Sequence, residues 1–158
     1  MDLSQKLSPN FSLKELIRSD TATRKGLDNI PNEEILENLK TLCKEVLQPV
    51  RDHFKKGVNV NSGYRSPEVN SSIGGSTRSD HCKGMAADIE IRGVSNHELA
   101  MWIATNLKYR QLILEFYTSG IPDSGWVHVS YNSDDLKCQE LTASRENGKT
   151  VYRSGLIA

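Results

Sequence analysis

Apolar residues recur at Ile35, Leu39, Leu42, Val46, Val50 and Phe54, with Leu36 and Leu47 beside them. Steps of three and four place these side chains on one face of an amphipathic helix. Asn32 can cap that helix, Pro49 should kink it or end it and restart a turn, and Gly57 marks its stop. Ser12-Leu13-Lys14-Glu15 is a capping box ahead of a short helix over residues 13–19. Ser66-Pro67-Glu68 reads as a cap with proline at the first helical position, and that helix stops at Gly74-Gly75. Ser95-Asn96-His97-Glu98 opens a further helix to about residue 107, with Leu99, Trp102, Ile103 and Leu107 on its buried side.

Elsewhere the pattern switches to a period of two, which predicts strands over 58–62, 86–91, 111–117 and 126–131. The last two are joined by a loop rich in Gly, Pro, Asp and Ser, and read as an antiparallel hairpin. Asn147-Gly148 predicts a smaller hairpin near the C-terminus. Alternation puts Ala87, Ile89, Ile91, Leu112, Leu114, Phe116, Val127 and Val129 on one set of faces. The opposite faces collect Asp88, Glu115 and His128, with Asn59 and Asn61 as further members. The expected fold is α+β: an antiparallel sheet with helices packed on one face and a polar site on the other.

With 158 residues, a single domain over 1–158 with its own core is expected. Lys and Arg number 20 and Asp and Glu 20, so no net charge draws the chain to nucleic acid or an anionic membrane, and neither is expected as a partner. Cys43, Cys82 and Cys138 are odd in number and form no Cys-x-x-Cys pair, which fits synthesis in a reducing cytoplasm. No apolar run follows Met1-Asp2-Leu3-Ser4, so no secretory signal is expected, and a target outside the cytoplasm would need another delivery system.

His81 and Asp88 stand seven residues apart around Gly84, Ala86 and Ala87, and His128 lies far downstream between two valines. Two imidazoles and a carboxylate leave one tetrahedral position open, the usual form of a catalytic zinc site. A carboxylate outside the ligand set is then needed to take a proton from water. Glu115, on the strand expected beside His128, is the first candidate, and Asp123 in the hairpin loop is the alternative. Arg65 offers a planar fork for an oxyanion or a substrate carboxylate. Taken singly, each residue has a plainer use: Glu115 as a solvated strand residue, Arg65 as a surface cation, His128 as a hydrogen-bonded half-buried histidine. His53 suits a helix end, and His97 falls in the first turn of a helix and is expected at the surface. A Ser79-His81-Asp88 hydrolase triad would lack a nucleophile elbow and crowd three residues too close along the chain. Cys82 should turn away from His81 and be buried and inert.

The string Ser62-Gly63-Tyr64-Arg65-Ser66-Pro67-Glu68-Val69-Asn70, then Gly74-Gly75, Ser79-x-His81-x-x-Gly84-x-Ala86-x-Asp88, Glu115 and Trp126-Val127-His128 resembles the D-alanyl-D-alanine carboxypeptidase-like zinc peptidases. That superfamily includes vancomycin-resistance dipeptidases, phage endolysins and the hedgehog signalling domain, and the similarity is to its short branch in phages and prophages. It runs over about residues 11–131 and leaves the C-terminal hairpin outside. The resemblance implies Zn2+ on His81, Asp88 and His128, Glu115 as general base, Arg65 as oxyanion or substrate contact, and Ser79 as substrate contact. It implies a peptidase acting on peptidoglycan stem peptides, either D-Ala-D-Ala carboxypeptidase-like or L-Ala-D-Glu endopeptidase-like, and a monomer is expected. Many relatives carry the catalytic acid three residues before the last histidine, which here is Gly125; others carry it on the preceding strand, as Glu115 would. The alternative is a non-catalytic zinc-stabilised cell-wall-binding or phage virion structural module.

Overall fold

The computed structural model describes residues 1–158. A two-stranded ribbon, β1 (Lys6–Ser8) with β2 (Phe11–Ser12), leads into α1 (Leu13–Ile17) and α2 (Asp20–Lys25). The Ser12 box forms in full, with the hydroxyl accepting from the Glu15 N–H and the Glu15 carboxylate accepting from the Ser12 N–H. The amphipathic run becomes α3 (Glu33–Leu42), a π turn over Cys43–Leu47 and α4 (Gln48–Phe54). The widened turn lies just before Pro49, whose ring would otherwise press on a carbonyl in the preceding turn. The run therefore continues past the proline, and one stripe from Leu36 to Val50 stays buried. The helix ends at Lys55 in the left-handed region, two residues before the glycine expected to stop it.

β3 (Asn59–Ser62), α5 (Pro67–Ser72), β4 (Ala86–Glu90), α6 (Asn96–Asn106), β5 (Gln111–Glu115), β6 (Trp126–Ser130), β7 (Gln139–Glu146) and β8 (Lys149–Ser154) follow. One six-stranded sheet runs β3-β4-β6-β5-β7-β8. β5 and β6 form the expected antiparallel pair, and β7 and β8 form the hairpin around Asn147-Gly148. The sheet is mostly antiparallel but not wholly: β7 runs parallel to β5. The C-terminal hairpin thus extends the main sheet.

Ala87, Ile89, Leu112, Leu114, Val127 and Val129 are fully buried and share a core with Leu36 and Leu39 of α3 and Leu99 and Ile103 of α6. Burying each large apolar side chain in such a core contributes roughly 1.5–3 kcal/mol. The residues between them in β4, β5 and β6 include Asp88, Glu115 and His128. The alternation fails at Phe116, which takes a positive φ of 56° and ends β5 one residue after Glu115. Phe116 is consequently half-buried against Trp126, outside the core group to which alternation assigned it. No helix is long and apolar enough to cross a membrane.

Candidate metal centre

Asp88 and His128 are direct partners across β4 and β6. Period-two alternation turns both away from their buried neighbours. His81 reaches them from outside the sheet, on a 3-10 turn over Asp80–Lys83. Ser79 caps that turn by accepting the His81 N–H at 3.2 Å. Gly84 closes it in the left-handed region, at φ 70° and hard against Ile35 and Leu39 of α3. A Cβ there would come within 2.8 Å of Ile35 Cγ2, so glycine is required for the conformation and for the close approach.

The three donor atoms lie within 4.8 Å of one another. His81 Nε2 is 3.4 Å and His128 Nδ1 3.0 Å from Asp88 Oδ1. Metal–ligand bonds of about 2.1 Å in a tetrahedron would separate ligand atoms by roughly 3.4 Å, so the spacings and the N2O donor set fit zinc. His81 Nδ1 lies 2.7 Å from the Gly63 carbonyl, and donation there leaves Nε2 with its lone pair toward Asp88. Burial alone would raise the Asp88 pKa, but without a metal the charge of a protonated His81, whose Nε2 then carries a proton, and hydrogen bonds from both imidazoles hold it well below the usual carboxylate range. Burial would lower the His128 pKa, and the hydrogen bond and charge of Asp88 reverse that and raise it. Without a metal, a proton between His128 and Asp88 satisfies both groups.

The triad opens into a cleft of about 380 Å³ that also takes in Arg65, Ser79, Glu115 and Trp126. Glu115 pairs with Trp126 across β5 and β6, and its Oε2 accepts the indole N–H at 2.6 Å. Burial raises the Glu115 pKa and the negative charge of Asp88 adds to the rise; His128, the indole hydrogen bond and Arg65 oppose it. Arg65 makes no salt bridge, and its Nε is buried without a hydrogen-bond partner. Asp123 is exposed on the loop before β6 and does not line the cleft. A side chain at 125 would run into the backbone of Glu115 and Phe116, so no acid can be carried there.

His53 stacks on Trp102 and His97 on Tyr117, both away from the triad; His97 is half-buried rather than at the surface. Cys82 is only partly buried and lines a separate pocket with Asn70 and Thr77. Asn59 and Asn61 lie outside the cleft, where Asn61 donates to Glu90.

Several supporting residues carry no recognisable signature in the chain. Asn29 is buried; its amide donates to the carbonyls of Ile17 and Tyr64 and its oxygen accepts the Ser66 N–H at 2.7 Å. It pins the loop that carries Gly63 and Arg65. Asp80 accepts from Arg110 at 2.8 Å and anchors the turn of His81 to the start of β5. Trp126 was legible only as a neighbour of His128, because its partner depends on strand register. Tyr152, on β8, also lines the cleft.

A family model described as Peptidase M15 matches residues 9–130. No curated protein sequence matches the chain.

Proposed function

The chain belongs to the peptidase M15 family of zinc metallopeptidases, and on that premise we propose that it hydrolyses peptide bonds in the stem peptides of peptidoglycan. The observation that carries this reading is the convergence of three metal-donor atoms, a buried carboxylate and a guanidinium without an anionic partner in one cleft.

His81, Asp88 and His128 would hold the zinc. When bound, zinc polarises the scissile carbonyl and lowers the pKa of attacking water toward neutrality. Glu115 is the general base. Trp126 fixes the carboxylate from one side, which leaves the other oxygen for the water proton. A pKa raised by burial lets the same carboxyl give that proton to the leaving amine. Arg65 grips an oxyanion or a substrate carboxylate with two parallel N–H bonds, for which its lack of a protein partner leaves it free. Ser79 borders the substrate while capping the turn of His81.

In this reading helices back the apolar face of the sheet and the zinc site occupies the other, and the alternation of buried Val127 and Val129 with half-buried His128 supports it. The order of motifs from Arg65 to His128 supports a place beside the phage and prophage relatives with the hedgehog-like fold. Zero net charge gives no pull toward nucleic acid and suits a peptide target, on which the protein would act as a monomer.

The test is to incubate zinc-loaded protein with purified peptidoglycan and identify new termini by mass spectrometry. New amino and carboxyl termini in the stem peptides, lost on chelation, are expected. Unchanged stem peptides would overturn the proposal and leave a binding module.

A further inference from the structure

The family match ends at residue 130, yet the sheet continues through β7 and β8. This hairpin does little for the core: Ala143 is its only buried residue. It is nonetheless firmly placed. β7 is paired along β5 from Gln111↔Gln139 to Glu115↔Ala143, the Phe116 N–H donates to the Ala143 carbonyl at 2.9 Å, and the Arg145 guanidinium sits 5.3 Å from the Phe116 ring centre.

Register then decides what the hairpin offers. Trp126 pairs with Glu115, Glu115 with Ala143, and Ala143 with Tyr152. Residues in one such row share a face of the sheet. Because residue 143 carries only a methyl group, no large side chain stands in that row between Tyr152 and Glu115. Tyr152 is 55% exposed and lines the cleft, where Ile113 and Trp126 are the other apolar contributors. Trp126 is committed to Glu115. Burial and the Glu115 charge raise the Tyr152 phenol pKa, in keeping with that proximity. Arg65 follows β3 at the opposite edge of the sheet.

We infer that Tyr152 is a specificity-determining residue, its ring forming with Ile113 an apolar wall beside Glu115 that packs on a nonpolar residue flanking the scissile bond. The substrate class is then a peptide with a nonpolar residue on the Tyr152 side and an anionic group within reach of Arg65. The inference rests on the peptidase reading above and adds a contact from outside the family-matched region.

The test compares wild type, Tyr152→Ala and Tyr152→Phe, all zinc-loaded, with disaccharide-peptides released from peptidoglycan by a muramidase. Cleavage kinetics and calorimetric binding are both read. Tyr152→Ala should raise KM about tenfold and weaken binding in step, with kcat, zinc content and Tm near wild type; burying part of an aromatic ring has that size of effect. Tyr152→Phe should behave as wild type, because the ring supplies the contact. Equal KM and binding in Tyr152→Ala and wild type would overturn the inference and leave the peptidase reading standing. Binding that depends on Tyr152 without any cleavage would support the contact and sink the peptidase reading. A wild type that neither binds nor cleaves would overturn both.

Discussion

Glu115→Gln separates chemistry from structure at this site. Glutamine keeps the length of the side chain and an oxygen that can accept the Trp126 indole N–H, now 2.6 Å from Oε2. Exchanging a charge-assisted hydrogen bond for a neutral one costs about 1 kcal/mol. Removing a carboxylate whose ionisation burial disfavours offsets part or all of that. Because the folded pKa is raised, the contribution of Glu115 to stability is complete below its unfolded value and is lost as pH rises through the folded value. Metal-free Glu115→Gln should therefore match wild type in Tm at low pH and gain on it toward neutral pH. Catalysis behaves oppositely. The base works only when ionised, so wild-type kcat/KM should fall as pH drops through the Glu115 pKa. Loss of a positioned base should lower kcat by roughly two to four orders of magnitude, or about 3–5 kcal/mol of barrier. The assay is release of new termini from peptidoglycan across a pH series, alongside zinc content and thermal melts. A Glu115→Gln protein that keeps wild-type turnover would refute the assignment. Asp123→Asn should stay near wild type; if it is instead the inactive variant, the exposed loop must fold over the cleft and the roles of the two acids are exchanged.

His128→Ala should lose most bound zinc by metal analysis, whereas His53→Ala and His97→Ala, which stack on Trp102 and Tyr117, should retain it. Arg65→Lys should lower kcat/KM by at least tenfold without moving Tm, because an ammonium cannot hold two oxygens as a planar fork does; unchanged kinetics would make Arg65 a bystander. Asn29→Ala should cost about 2–4 kcal/mol in urea unfolding, since it strands buried partners at Ile17, Tyr64 and Ser66. It should also weaken zinc binding, because the Gly63 carbonyl that orients His81 lies in the same loop.

Local chemistry was legible in the chain because it depends on neighbours a few residues away. The Ser12 box, the Ser66-Pro67 start, the Asn147-Gly148 turn and the long amphipathic stripe all formed where spacing and side-chain type required. So did the alternation that buries Leu112 and Val129 and turns out Glu115 and His128. Where the chain bends against its pattern, the cause is tertiary: Phe116 leaves the strand where its N–H meets Ala143 across a parallel pairing that no local signal announces. Which of Glu115 and Asp123 lines the cleft likewise depended on the register that sets Glu115 opposite Trp126 and leaves Asp123 in solvent. Asn29 lies far before His81 in sequence and acts through the backbone of the loop between them. Tyr152 reaches the cleft only because two strand pairings carry it past a single alanine. Residue types and spacing determined which groups were available, and long-range strand register, invisible to periodicity, decided which of them meet.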